Sequence, residues 1–411
     1  MHRKSTFLMF VLSLLEFSIT AQNGVCAQFM RGADISTQTL QEADGVIYKE
    51  YGIPKDALVI LKNHDFNWIR IRLFHSPSGW NYGASMDLAY VTDLGARVKA
   101  AGFKFLLDIH YSDTWADPTH QTPPGAWQGM NHSQLVTAVY EYTRDTIEHL
   151  RTNNAMPEMV QIGNEIICGM LWPDGEICDN GNWSNLADLI NASIDGVDAG
   201  RGAEPMPEIM IHIDRGCDRA STEWFFDNLL AQGVQFDIIG QSFYPQWHGT
   251  PDDLTANLNF MAQNYSQDII IVETAEYYTG VSGASPENQK AFLEELIQRV
   301  QDTPNGKGRG VCYWEPTWVW KSPVGYKALF EPAPAWNNVD MLMAMEAFDI
   351  EQVYGDITGD GIVDFEDLPG FYESWLQDDC GAIAELDLNS DCTINFYEFS
   401  VLAQNWLEEI Q

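Results

Sequence analysis

Glu165 ends the apolar run Met159–Ile166, directly after Asn164, and Glu273 closes the run Ile269–Glu273. Two carboxyl groups that face one another across a pocket can cleave a glycosidic bond. One protonates the leaving oxygen, and the other attacks the anomeric carbon or activates water. An amide beside the acid can bond the sugar 2-hydroxyl. A single glutamate at the end of an apolar run is more often half of a structural salt bridge. Asn-Glu at one run and Glu at a second, distant run shift the balance toward chemistry.

Other short apolar runs end in polar groups too: Asp34, then Arg70 and Arg72, then Asp108, His110, Tyr111 and Asp113, then Tyr244, and finally Trp314 with Glu315. Buried polar groups are costly unless paired or used. Arg70 and Arg72 are two apart, so on a strand they share a face. There they would keep a nucleophilic carboxylate ionised, or form an interior charge network with Asp34 or Asp108. His110 suits donation to a carboxylate or a sugar; no His-x-His or His-x-x-x-His accompanies it, so metal ligation is not indicated. Trp80, Trp115, Trp127, Trp172, Trp247, Trp314, Trp318 and Trp320 fall near run ends or their loops. Aromatic faces stack on pyranose C–H faces, and Trp115, Trp247 and Trp314 are the ones expected to touch sugar. The expected substrate-binding set is therefore Asp34, Arg70, Arg72, His110, Trp115, Asn164, Tyr244, Trp247 and Trp314.

Something must bring these run ends together. The strand candidates are residues 29–35, 68–74, 103–110, 159–166, 209–213, 236–243, 269–273 and 310–314. They are short and continuously apolar, as parallel strands buried on both faces require. Helical patterns separate them, at 89–101 before Gly102, at 133–150 and at 286–301. Eight strand–helix units predict an α/β fold of the (β/α)8 TIM-barrel class, whose chemistry sits at the C-terminal ends of the strands. The alternative, a doubly wound open sheet, lacks a Gly-x-Gly-x-x-Gly after its first strand.

The 411 residues fit one large domain with an appendage, and the formal net charge is -37. Such acidity argues against nucleic acid and anionic membranes and is compatible with a neutral polysaccharide. His2, Arg3 and Lys4 precede an apolar run from Phe7 to Leu15, and Val25-Cys26-Ala27 offers small residues for cleavage. This predicts a signal peptide over 1–27, a secreted protein, and no membrane insertion after cleavage. Six of seven cysteines then remain. Cys168 and Cys178 are close in sequence, as are Cys380 and Cys392, whereas Cys312 suits a buried thiol. The barrel is expected over 28–350. Residues 355–411 contain fourteen acids and no Lys, Arg or His. They form a repeat in which Asp356–Asp367 is echoed by Asp387–Glu398, each followed by an apolar stretch ending in Trp-Leu.

The segments Arg31-Gly-Ala-Asp-Ile-Ser36, Leu106-Leu-Asp-Ile-His-Tyr-Ser-Asp-Thr-Trp-Ala-Asp-Pro118, Val160-Gln-Ile-Gly-Asn-Glu165 with Gly169-Met-Leu-Trp-Pro173, Val272-Glu-Thr-Ala275 and Tyr313-Trp-Glu-Pro316 resemble glycoside hydrolase family 53 over roughly residues 29–348. The resemblance implies an endo-β-1,4-galactanase acting on the galactan of type I arabinogalactan and pectin side chains. It also implies retention, with Glu165 as acid/base and Glu273 as nucleophile. A related retaining hydrolase of mannan, xylan or glucan, or a non-catalytic polysaccharide-binding barrel, are the alternatives. Where the family usually has an aromatic–Pro pair after Glu273-Thr-Ala, this chain has Glu276-Tyr277-Tyr278. The loop there is short, so no calcium is expected in the barrel. The tail resembles dockerin-like calcium modules, which implies two loops of EF-hand type. Asp356, Thr358, Asp360, Ile362, Asp364 and Asp367 would ligate in the first, with Gly361 at the turn. Asp387, Asn389, Asp391, Thr393, Asn395 and Glu398 would ligate in the second, where Cys392 replaces the turn glycine. Such a module implies a cohesin or cell-surface partner.

Overall fold

The computed structural model describes residues 28–78, 85–320, 324–332, 338–350 and 363–374, with 394, 395, 399, 400 and 403. The expected leader, Trp80, Cys380, Cys392 and most of both acidic loops lie outside the described residues.

Eight strands close into a barrel: β1 Met30–Asp34, β2 Trp68–Leu73, β3 Lys104–Ile109, β4 Met159–Ile162, β5 Glu208–Ile213, β6 Ile238–Ser242, β7 Asp268–Thr274 and β8 Gly308–Trp314. Every neighbouring pair is parallel, and β8 pairs with β1 to close the ring. The outer ring is α1 Ala57–Asn63, α2 Leu88–Ala100, α3 His132–Thr152, α4 Trp183–Gly200, α5 Arg219–Ala231, α6 Pro251–Asn264 and α7 Pro286–Gln301. The eighth position is taken by a 3-10 turn, Met343–Phe348, whose Phe348 ring lies 4.2 Å from Phe66 just after α1. Side-chain caps start these helices where the sequence offers them: Asp56, Asp87, Asn131, Asp218, Thr250 and Ser285 each accept a backbone N–H of the first turn.

Along each strand, alternate residues face the helices or the barrel interior. Outward residues such as Ile69, Ile71, Phe105, Leu107, Ile209 and Ile211 belong to the large core beneath the helices. Inward residues form layers. The floor is apolar: Met30, Trp68, Leu106, Met159, Met210, Ile238, Ile270 and Cys312, with Val272, make a separate buried cluster. Cys312 is a free, buried thiol. Two residues further along the same strands (four on β1) the inward positions turn polar, with Asp34, Arg70, Asp108, Gln161 and His212 all buried. A dry floor thus supports a charged layer, and the cleft lies above it.

The loop that leaves β4 is stapled. Cys168 and Cys178 form a disulfide with Cα atoms 5.0 Å apart, enclosing a small hairpin in which Gly169–Met170 pairs with Gly175–Glu176. It begins three residues after Glu165 and sets the path of the chain away from that residue. In chain-entropy terms, closing so short a loop is worth up to ~3 kcal/mol. Replacing both cysteines by serine is expected to lower the thermal unfolding midpoint by several degrees. The wild-type protein under reducing conditions should follow. An unchanged midpoint in both would show that the hairpin holds itself.

Candidate active site

The polar layer is organised by Arg70. Its Nε donates to Gln161 Oε1 at 3.1 Å, and Nη1 donates to Asp34 Oδ2 at 2.8 Å and pairs with Glu273 Oε1 at 2.7 Å. Nη2 donates to Asp108 Oδ2 at 2.9 Å and to Asn164 Oδ1 at 3.0 Å. The planar guanidinium fork thus ties β1, β3, β4 and β7 to β2. Arg72, one layer higher, bonds Asp34 Oδ1 at 2.9 Å and Glu315. Its guanidinium lies over Trp115 and Trp314, at 4.8 and 5.7 Å from the ring centroids.

Glu273 reaches the cleft through a break in the alternation. Ile270 and Val272 face inward and Ile269 and Ile271 outward, so strict alternation would turn Glu273 toward the helices. The pairing of β7 shifts register against both neighbours here, Gln241 facing Ile271 while Ser242 faces Glu273. This irregularity returns the carboxylate to the interior. Glu165 depends on a different device. Gly163, Glu165 and, beyond the ends of β3 and β8, Tyr111 and Glu315 have positive φ. A non-glycine in this left-handed region costs about 1–2 kcal/mol, and the strain falls where the chain must turn a side chain over the barrel mouth.

The two glutamates share a cleft of about 520 Å³, also lined by Arg72, Trp115, Asn164, Asp214, Tyr244, Trp247, Trp314 and Lys327 among others. Their surroundings differ. Glu273 pairs with Arg70 and accepts from Tyr244 OH at 3.2 Å. Glu165 has no arginine in contact among the described residues and accepts from Ser242 Oγ at 2.7 Å. Burial pushes Glu165 well above the usual carboxylate range, and Glu273 and Asp214 push the same way. Burial raises Glu273 as well, but Arg70 is the main force against it. The stronger proton affinity therefore belongs to Glu165. Ser242 spends its one proton on Glu165, so His212, 2.9 Å away through Nε2, donates to Ser242. His212 is held neutral by burial and by Arg70.

Of the nine residues expected to bind substrate, Arg72, Trp115, Asn164, Tyr244, Trp247 and Trp314 line this cleft. Asp34, Arg70 and His110 do not. They are buried beneath it, where ion pairs and hydrogen bonds occupy them: Asp34 with both arginines, and His110 with Asp108 at 3.0 Å and the Ala116 N–H at 3.1 Å. In this structure their partners are other side chains and backbone. Asn164 has its oxygen taken by Arg70 and one amide proton by Ala116 O at 2.9 Å, leaving one N–H for the cleft. Trp127 and Trp318 are core residues instead. Sequence reasoning did not single out Ser242, His212, Asp214 and Lys327. Inward alternation along β5 and β6 points to His212 and Ser242; Lys327 sits in an irregular segment without any such signal.

Residues 30–353 match the sequence profile of glycosyl hydrolase family 53. The chain belongs to that family. It is 37% identical over 317 residues to "Arabinogalactan endo-beta-1,4-galactanase A" of Aspergillus niger, covering 72% of this chain and 87% of the relative. Among solved structures, the Ignisphaera aggregans GH53 catalytic domain superposes with a TM-score of 0.71 at 35% identity, covering 79% of this chain and 97% of that one. A structure described as one of two fungal β-1,4-galactanases matches with a TM-score of 0.71 at 33% identity, covering 78% and 99%. As a member of family 53, the protein is a glycoside hydrolase.

Family membership makes the charge state of Glu165 worth measuring. An acid whose pKa is raised by folding stabilises the fold below its unfolded pKa and loses that contribution as pH rises. Glu165→Gln keeps an acceptor for Ser242 and removes the charge. Urea unfolding should find the variant more stable than wild type at pH 8. The difference should shrink toward zero below pH 4.5, the ordinary glutamate value. A difference independent of pH would mean that Glu165 is not perturbed.

Proposed function

We propose that the protein is a secreted, retaining endo-β-1,4-galactanase acting on the galactan of type I arabinogalactan and pectin side chains, with Glu165 as acid/base and Glu273 as nucleophile. The observation that carries this reading is the unequal pair: two glutamates in one cleft, one ion-paired to Arg70 and the other held only by a hydroxyl. The names of the relatives support galactan as the polymer.

In the first step Glu165 gives its proton to the glycosidic oxygen while a Glu273 oxygen bonds to the anomeric carbon. The C–O bond to the leaving sugar breaks, and the leaving sugar departs with a hydroxyl. The ester has removed the Glu273 charge, one of the forces holding Glu165 protonated, so Glu165 is now poised as a base. It takes a proton from water as that water bonds to the anomeric carbon, and the ester bond breaks to release Glu273. Two inversions give retention. The N–H of Asn164 that remains free suits the 2-hydroxyl.

Glu273→Gln should lose nearly all turnover on galactan while still binding it. Glu165→Ala should also be crippled, with azide restoring turnover on an aryl galactoside whose leaving group needs no proton. NMR of the first-formed product should show the β-anomer; the α-anomer would rule out retention. A panel including mannan, xylan and β-glucan separates galactanase from the related activities.

Secretion follows from the leader-like residues 1–27, and the tail reads as a calcium module serving attachment to a cohesin or cell-surface partner. Among the described residues no His, Cys, Asp or Glu cluster suits a metal. Asp364 and Asp367 order the turn before a helix: Asp364 N–H donates to Asp367 Oδ2 at 2.8 Å, and Asp364 Oδ1 accepts from Glu366 N–H at 2.7 Å. Helix Leu368–Ser374 follows, and Phe371 lies 5.8 Å from Phe399 of the second copy. A helix that begins directly after the loop's twelfth position, Asp367, suits the helix–loop–helix arrangement of an EF-hand. Asp356, Thr358, Asp360 and Ile362 would complete the first site, and calcium there would offset the repulsion among the tail's acids. Calorimetry on the full chain should register calcium uptake that Asp356→Ala with Asp360→Ala reduces, while chelator spares hydrolysis. No uptake, or loss of hydrolysis on chelation, would overturn this division.

A further inference from the structure

Lys327 is only 5% exposed, yet it lines the same cleft as both glutamates. It follows β8 in a short 3-10 turn, Gly325–Lys327, and its carbonyl is fixed by Tyr313 OH at 2.5 Å and Gln289 Nε2 at 3.1 Å. The backbone therefore holds this side chain in place. Its ammonium sits among three aromatic faces, 4.5 Å from the centroid of Trp247, 4.6 Å from Tyr277 and 5.0 Å from Tyr244. Among the described residues it makes no ion pair; Glu276 acts on it only at longer range.

Burying an ammonium without a carboxylate is unfavourable, and aromatic faces offset that only in part. The cost is visible in its proton affinity, which burial lowers to about 8. A lysine retained only as packing would do better as methionine, which has similar length and no charge to desolvate. An ammonium has three donors and no acceptor. The ring faces wall its sides, and the open side of the cleft is where hydroxyl oxygens of a bound chain would lie.

The wall itself is braced. Trp247 is 67% exposed on the four-residue helix Pro245–His248, so its ring is free to carry a sugar. Gln246 beside it donates to both carboxylate oxygens of Glu276 at 2.9 Å. Tyr277 follows directly, and Tyr244 at the other end of the wall donates to Glu273. Two loops, after β6 and β7, are thus tied together around one cation next to the nucleophile candidate.

We propose that Lys327 is a substrate-binding residue: its ammonium, placed by Tyr244, Trp247 and Tyr277, donates hydrogen bonds to the hydroxyls of a sugar unit stacked on Trp247. This rests on the polysaccharide-hydrolase reading above. The test is Lys327→Met in the full chain, with Michaelis kinetics on β-1,4-galactan and thermal unfolding side by side. A charged hydrogen bond to substrate corresponds to about tenfold or more in KM. The expected result is that rise in KM, with kcat changed little and an unfolding midpoint equal to or above wild type. Wild-type KM should climb as pH passes about 8, where the ammonium loses its charge, and the variant's KM should lack that climb. An unchanged KM overturns the proposal, as does a loss of kcat with a lowered midpoint at constant KM, which marks a structural lysine. If the wild-type protein cleaves another β-glycan and not galactan, the galactan reading fails on its own. The same KM comparison on that glycan then decides the case for Lys327.

Discussion

The site hangs on one buried cation. Arg70 has five N–H donors, and the structure uses them on Asp34, Asp108, Gln161, Asn164 and Glu273, drawn from four other strands. Without it, three buried carboxylates, those of Asp34, Asp108 and Glu273, would lose the counter-charge they share. Removing one member of such a buried set typically costs about 3–5 kcal/mol. The dependence runs the other way as well. A fully buried guanidinium is tolerable only because the carboxylates around it hold its charge more strongly than burial opposes it. The polar layer is therefore all-or-none, and it can exist only because the floor below is sealed by Met30, Trp68, Leu106, Met159, Met210, Ile238, Ile270 and Cys312.

This arrangement makes two like residues unlike. Arg70 pairs with Glu273, whereas among the described residues no arginine is in contact with Glu165, on which Arg70 acts only at longer range. The difference originates in which strand carries which residue. From β2, an inward arginine one layer above the floor reaches the rim of β7 across the barrel. Glu165 is lifted above that plane by the left-handed turn at the end of β4, and its contact is with Ser242. A hydroxyl relay from neutral His212 orients it without supplying charge. Burial thus pushes both carboxyl groups toward the proton, Glu165 further than Glu273, and the difference follows from which of them Arg70 pairs with.

Much of this was legible before any coordinates. The eight apolar runs are the eight strands, with ends that coincide or are displaced by up to four residues, and the helix at 286–301 has the bounds read from its Pro and its periodicity. Runs buried on both faces announce themselves, because nearly every residue must be apolar. The polar exceptions within them, Asp34, Arg70, Arg72 and Asp108, were equally plain. What could not be read was direction at the strand ends. Alternation alone sends Glu273 outward, and the register shift that turns it back has no sequence signature. For the same reason the depth of Asp34 and His110 was not readable: a strand-end position is visible in sequence, but how deeply its side chain is buried beneath the cleft is not. Lys327 and Asp214 belong to segments whose conformation is set by packing and not by periodicity. Most of the two acidic loops lie outside the described residues, so their ligand pattern stands on sequence.

The departure after Glu273 has a physical sense in this chain. Where relatives were expected to carry an aromatic–Pro pair, Glu276 faces the loop after β6 and accepts from the Gln246 amide with both carboxylate oxygens, and it also accepts the Tyr277 N–H at 2.7 Å. Proline stiffens a loop by fixing φ and giving up a donor. A carboxylate that bridges to the neighbouring loop reaches the same end by hydrogen bonding, and it adds negative charge close to Lys327. In a protein of net charge -37, that lysine shares a cleft with several rings and carboxyl groups and with Arg72. Glu276 favours the charged form of Lys327 against the pull of burial. The substitution and the caged lysine are therefore one arrangement: a carboxylate that braces the aromatic wall also helps keep the cation behind it protonated.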